Sequence, residues 1–137
     1  GQFLSPEEMA PAVEKIRASG NPKIFVTERG TLFGYRNLVT DMRAIPIMQD
    51  MDVPVVFDAT HSLQLPGAGG TQSGGLRRFV PTLARAAVAI GTDGIFMEVH
   101  HNPPAAKSDP ATQFPLENLY SLLADLKLLS TITRKEL

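Results

Sequence analysis

Short apolar blocks alternate along the chain with longer stretches in which apolar positions recur every third or fourth residue. That contrast separates buried strands from amphipathic helices. A first helix is predicted over 6–19: Ser5 is a hydroxyl N-cap, Pro6 takes the first helical position, Glu8 follows three residues after the cap, and Gly20 supplies the left-handed stop. Residues 23–27, 54–58 and 94–98 are apolar runs rich in β-branched and aromatic side chains and read as buried parallel strands. Between the first two lies an amphipathic stretch, 37–50, that Pro46 is expected to kink or divide. The glycine-rich segment 65–75 reads as a mobile or sharply turning loop without regular structure. A helix follows over 77–90, closed by Gly91, and a polar loop is expected over 100–113. The last helix, 116–129, places Leu119, Leu122, Leu123 and Leu126 on one face, and a polar, frayed tail follows it.

Strands alternating with helices indicate repeated βα units, hence an α/β fold with a parallel sheet in one domain spanning 1–137. Three strands cannot close a barrel that needs eight strands and ~250 residues. The chain is therefore a small open α/β domain or a piece of something larger. A hydrophobic fraction of 43% suffices for a packed core. Thirteen basic against fourteen acidic residues leave a net charge of −1, which gives no field to recruit nucleic acid or anionic lipid. The apolar runs fall far short of the ~20 residues that span a bilayer. With no cysteine, disulfides and thiolate ligands are excluded within the segment. Redox logic then leaves the compartment open, with cytoplasm as the default expectation; no basic, apolar leader opens the sequence, but it begins Gly1-Gln2-Phe3 without a methionine, which leaves room for a signal upstream.

The polar residues cluster where strands end: Glu28 and Arg29, Asp58 and His61, and Glu98. In parallel α/β architectures that face carries the ligand, because side chains leaving adjacent strands converge there. One imidazole and two carboxylates, His61, Glu98 and Asp109, are residue types that hold a divalent cation, although their spacing matches no local metal motif. The same types serve equally as a loop hydrogen bond, an ion pair and a turn cap. His100 and His101 are competing imidazoles in a proline-rich loop, where at least one is expected to face solvent. Arg29 suits bidentate phosphate or carboxylate binding, or else a salt bridge to Glu28, Asp41 or Asp58. Ser73-Gly74-Gly75, ahead of Arg77 and Arg78, has the makings of a phosphate cradle, although such loops are more often plain turns. Asn37 and Asp41 read as capping or scaffold residues.

Six strings in order, Thr27-Glu28-Arg29-Gly30, Phe33-Gly34-Tyr35 with Asn37-Leu38-Val39, Phe57-Asp58-Ala59-Thr60-His61-Ser62, Gln64-Leu65-Pro66-Gly67, Ser73-Gly74-Gly75 and Glu98-Val99-His100, closely resemble the 3-deoxy-D-manno-octulosonate 8-phosphate synthases. The resemblance runs from Gly1 to about Leu126. It implies a (β/α)8 TIM barrel, of which this chain is about the C-terminal half, from the end of strand five onward. It implies condensation of phosphoenolpyruvate with D-arabinose 5-phosphate, releasing phosphate, for lipopolysaccharide precursor synthesis by a transferase that is expected to be a homotetramer. By the same resemblance His61, Glu98 and Asp109 match family metal positions for zinc, iron, manganese or a similar ion. Arg29 matches a ligand of the phosphoenolpyruvate phosphate, Ser73 matches a contact to the sugar phosphate, and His61 also approaches the carbon that water attacks. Gln64 and Arg77 receive no role.

The family has metal-dependent and metal-independent branches, separated by cysteine or asparagine on a first strand that this chain does not contain. Ser108-Asp109 is more like the metal-dependent branch, while Pro110 departs from both. The rival enzyme reading is a 3-deoxy-D-arabino-heptulosonate 7-phosphate synthase, which usually lacks the long loop. A non-catalytic half-barrel or binding module is the alternative of another class. Half a barrel leaves open sheet edges, so the missing N-terminal half is expected to complete it.

Overall fold

The computed structural model describes residues 3–32, 37–69 and 72–133, apart from the side chains at 67–69, 72 and 73. The motif Phe33-Gly34-Tyr35 and the tail beyond 133 lie outside the described residues. A three-stranded parallel sheet forms the centre, in the order β1 (Val26–Glu28), β2 (Val55–Asp58), β5 (Gly94–Phe96). Around it lie α1 (Ala10–Ala18), α2 (Ala44–Gln49), α3 (Val80–Ala89) and α4 (Leu116–Thr133). Buried residues of all four helices, among them Val13, Ile45, Ala84 and Leu122, join Val26, Val55 and Phe57 in one core. Alternation along the strands then sends the neighbouring side chains to the other face. There Thr27 and Phe96 are exposed and Val56 is half-buried. Among the described residues, no helix is long and apolar enough to cross a membrane.

Several expected boundaries move, each for a local reason. The first strand begins at Val26 rather than at 23, because its ladder partner runs out at Pro54, which has no N–H and contributes only its carbonyl to Val26 N–H at 3.0 Å. The third strand ends at Phe96 rather than at 98. Its last bond is Ala59 N–H to the Phe96 carbonyl, 3.0 Å, after which β2 has left the sheet. Beyond it β6 (Val99–His100) pairs in parallel with β7 (Phe114–Pro115), so the polar loop is gathered at both ends. Pro46 neither kinks nor divides a helix, since α2 begins only at Ala44 and the proline falls in its first turn, where an N–H has no intrahelical partner to lose.

The largest correction concerns 65–75. In place of an irregular loop, β3 (Gln64–Gly69) and β4 (Gln72–Gly75) form an antiparallel hairpin with a register shift between Leu65 and Gly69. Glycine composition hides such a strand, because the ladder is carried by backbone groups alone. Gly75 is required by packing: a Cβ there would lie 2.3 Å from Thr112 Cγ2 and 3.0 Å from the Ala111 backbone. The hairpin base is therefore pressed against the segment that follows Asp109.

Helix ends follow their sequence signals unevenly: α4 runs to Thr133, past the expected end at 129, so 130–133 is helix rather than frayed tail, while the end of α3 is where its glycine places it. Gly91, at φ 92°, donates to the Val88 carbonyl at 3.1 Å while Thr92 donates to Ala87 at 3.0 Å, the paired bonds of a Schellman stop. At the other end of the chain only half of the expected capping box forms. Glu8 accepts the Ser5 N–H at 2.6 Å, but Pro6 rather than the Ser5 hydroxyl opens a 3-10 turn, Glu7–Met9, that leads into α1.

Candidate metal and phosphate site

All three parallel strands deliver their carboxyl ends to the same side, and the site is built there. Asp58, the last residue of β2, is buried, and its Oδ1 accepts the backbone N–H groups of Thr60 (3.1 Å) and His61 (2.8 Å) and the Thr60 hydroxyl (3.0 Å). This folds the chain into a 3-10 turn, His61–Leu63, and aims the imidazole across the strand ends. Asp58 Oδ2 then lies 2.6 Å from His61 Nδ1, leaving Nε2 directed at Glu98 Oε1, 3.9 Å away. The Phe96 ring stacks on the imidazole at 5.9 Å between centroids.

Glu98 is held from both sides. Its backbone N–H donates to Thr60 Oγ1 at 3.3 Å, and its Oε2 accepts from Gln113 Nε2 at 2.9 Å. Gln113 also donates to the Ser108 carbonyl at 3.3 Å, and Phe114 N–H donates to the Glu98 carbonyl at 2.9 Å, so the Asp109 segment is strapped to Glu98. Asp109 adopts φ 48°, a left-handed conformation that aspartate tolerates better than most residues. One ligand atom from each of His61, Glu98 and Asp109 lies within 4.8 Å of the others.

This donor set has the chemistry of a divalent-cation site. A nitrogen and carboxylate oxygens bind such ions at ~2.0–2.2 Å, so donors to one ion lie within about 4.4 Å of one another, and a spread of up to 4.8 Å needs only a small inward shift of the side chains to meet it. The 3.9 Å gap between Nε2 and Oε1 is too long for a hydrogen bond yet suits a shared ion. His100 and His101 do not join the set: their rings stack on each other at 4.5 Å, His101 is exposed, and His100 Nδ1 accepts the Asn102 N–H at 2.9 Å.

Arg29 stands half-buried at the end of β1 and donates from Nη2 to Gln64 Oε1 at 3.3 Å. The Gln64 amide nitrogen in turn donates to Asp109 Oδ1. Arg77 donates to the Pro110 carbonyl, a second tie between hairpin and Asp109 segment. The backbone of Ser73 belongs to β4, and its side chain lies outside the described residues. Asp41 makes a scaffold contact, accepting from the Arg43 backbone and guanidinium just ahead of α2. Sequence reasoning missed the roles of Asp58, Thr60, Gln64 and Gln113. A signal was available for the first, since an Asp three residues before a His at a strand end is placed to cap the turn and reach the ring.

Glu28 is buried beside Arg29, and its Oε1 accepts the Gly30 N–H at 2.6 Å. Burial pushes its carboxyl above the ordinary value, against the opposing effect of that bond. The folded protein therefore holds the proton more tightly than the unfolded chain, and stability falls as pH rises from the ordinary glutamate value through the raised one. Glu28→Gln keeps an acceptor for Gly30 and removes the buried charge. It is expected to raise the melting temperature by a few degrees at pH 7 and to change it little at pH 4; equal effects at both pH values would refute the assignment.

Known proteins match this chain over nearly its whole length. Residues 1–134 match the model of the DAHP synthetase I family. The chain belongs to that family. It is 60% identical over 129 residues, 94% of its length, to a 2-dehydro-3-deoxyphosphooctonate aldolase of Nitratidesulfovibrio vulgaris (strain DP4), covering 47% of that protein. Over 135 residues it is 56% identical to the protein of the same name in Xylella fastidiosa (strain M12), and 54% identical to that of Xanthomonas axonopodis pv. citri (strain 306). Those matches cover 98% of this chain and 49% of each relative. The chain thus spans about half the length of the curated relatives it matches.

Proposed function

We propose that the chain is the C-terminal part of a (β/α)8 barrel enzyme that condenses phosphoenolpyruvate with D-arabinose 5-phosphate and water, giving 3-deoxy-D-manno-octulosonate 8-phosphate and phosphate. One observation carries the reading: His61, Glu98 and Asp109 meet at the carboxyl ends of parallel strands, in a chain 54–60% identical to proteins named 2-dehydro-3-deoxyphosphooctonate aldolase. Three features support the barrel. Consecutive βα units are neighbours in the sheet, the helices pack on one face in a single core, and the opposite face exposes Thr27 and Phe96. Parallel sheets are ordinarily covered on both faces, so a longer polypeptide is expected to fill the interior and pair with the outer strands β1 and β5.

In a metal-dependent enzyme His61, Glu98 and Asp109 would hold a divalent ion, zinc, iron, manganese or similar, which would supply Lewis-acid polarisation of the sugar aldehyde and orient water; an enzyme of the metal-independent branch would need no cofactor. Arg29 binds the phosphate of phosphoenolpyruvate through its guanidinium fork. Ser73 contacts the sugar phosphate from the hairpin, which excludes bulk water from the reacting groups. His61 also lies beside the phosphoenolpyruvate carbon that water attacks, serving as a ligand where metal is bound and as a proton carrier in a metal-independent enzyme, since a ring with Nε2 on a metal and Nδ1 on Asp58 has no nitrogen left for a proton. A cytoplasmic homotetramer belongs to the same proposal. Assay of the full-length protein with phosphoenolpyruvate and either arabinose 5-phosphate or erythrose 4-phosphate is expected to show turnover of the five-carbon sugar. Exclusive use of the four-carbon sugar would overturn the substrate assignment.

A further inference from the structure

One amide stands between the two charged halves of the site. Gln64 begins β3, directly opposite Gly75 in the hairpin ladder, and its side chain reaches Arg29 on one side and Asp109 on the other. The amide has no freedom to turn over. Its carbonyl oxygen must face the guanidinium, which has only donors, and its NH2 must face the carboxylate, which accepts; the reverse orientation sets like against like at both ends. The hairpin base that carries Gln64 is fixed on the Asp109 segment by the close Gly75 to Thr112 packing and by the Arg77 bond to the Pro110 carbonyl. A shift of Arg29 toward a bound anion is therefore transmitted through a single rigid group to the orientation of Asp109.

The geometry points to Gln64 as a positioning residue that holds the Arg29 guanidinium and the Asp109 carboxylate in register, so that phosphoenolpyruvate and a divalent metal ion favour each other's binding. This rests on the function proposed above, which makes Arg29 a phosphate ligand and Asp109 a metal ligand. The coupling is reciprocal by thermodynamic necessity: whatever factor phosphoenolpyruvate adds to metal affinity, metal adds to phosphoenolpyruvate affinity. Gln64 itself touches neither ligand in this assignment, so its loss acts through its two partners.

The test measures Mn2+ binding to the metal-stripped full-length protein, by the electron paramagnetic resonance of the free ion, with and without phosphoenolpyruvate. Wild-type protein is expected to bind Mn2+ on the order of ten-fold more tightly when phosphoenolpyruvate is present. Gln64→Met, of similar length and without polar atoms, is expected to lose most of that factor and to bind each ligand more weakly. Gln64→Glu keeps an acceptor for Arg29 but turns a carboxylate toward Asp109. It is expected to retain phosphoenolpyruvate affinity better than Gln64→Met while losing coupling, a split that general loosening of the fold does not produce. Wild-type coupling persisting in either variant, or absence of coupling in wild type, overturns the inference. Failure of the wild-type protein to bind phosphoenolpyruvate at all would instead sink the function proposed above.

Discussion

Replacing His61 by alanine is expected to weaken Mn2+ binding to the full-length protein by more than the roughly 10–100-fold that loss of an outer hydrogen-bonded partner costs. The imidazole is the one nitrogen donor in the cluster, and its Nε2 faces Glu98 across 3.9 Å. Removing it leaves two carboxylates without the neutral ligand between them. Glu98→Gln is expected to act as strongly through charge alone, since the amide oxygen keeps the shape of the side chain while the anion is lost. His101→Ala is the control, because that ring is exposed and stacks on His100 outside the cluster. Titration of the metal-stripped proteins with Mn2+, alongside their melting curves, checks all three. Wild-type Mn2+ affinity in both His61→Ala and Glu98→Gln would exclude this cluster as the metal site.

The order of strands and helices was legible in the sequence because apolar runs and amphipathic periods are local properties. The ends of the strands were not, since they depend on a neighbour. Val26 opens β1 because Pro54 on the adjacent strand has no N–H to offer, and β2 leaves the sheet after Asp58 because that carboxylate captures the N–H groups of Thr60 and His61. The hairpin 64–75 was hidden for a similar reason, as its pairing of Gln64 with Gly75 leaves no apolar alternation to read.

The candidate site divides along the same line. The residue types at strand ends singled out His61 and Glu98, and the resemblance, rather than any spacing rule, attached roles to them and to Asp109. The groups that orient them were not legible. Gln113 reaches Glu98, and Gln64 reaches both Arg29 and Asp109, only because segments far apart in sequence meet at the strand ends. Amides at such positions look like any polar loop residue until the fold brings their partners to them. Asp58 is the exception that a turn argument reaches, because both of its His61 contacts lie three residues away.

Asp58→Asn is accordingly expected to lower metal affinity by roughly 10–100-fold while leaving the fold intact. The asparagine oxygen can still accept from the Thr60 and His61 N–H groups, so the 3-10 turn survives. Its NH2, however, must then face His61 Nδ1, now 2.6 Å from a carboxylate oxygen. That ring nitrogen has to become the acceptor, which moves the imidazole proton to Nε2 and occupies the lone pair directed at Glu98. Asp58→Ala goes further, because it strips the acceptor from two N–H groups and the Thr60 hydroxyl in a buried turn, at ~1–3 kcal/mol for each that water does not reach. The two variants therefore separate tautomer control from structural support: weak Mn2+ binding with a near-normal melting temperature for Asn, and a large loss of melting temperature for Ala. Normal Mn2+ affinity in Asp58→Asn would show that the carboxylate does no more than hold the turn.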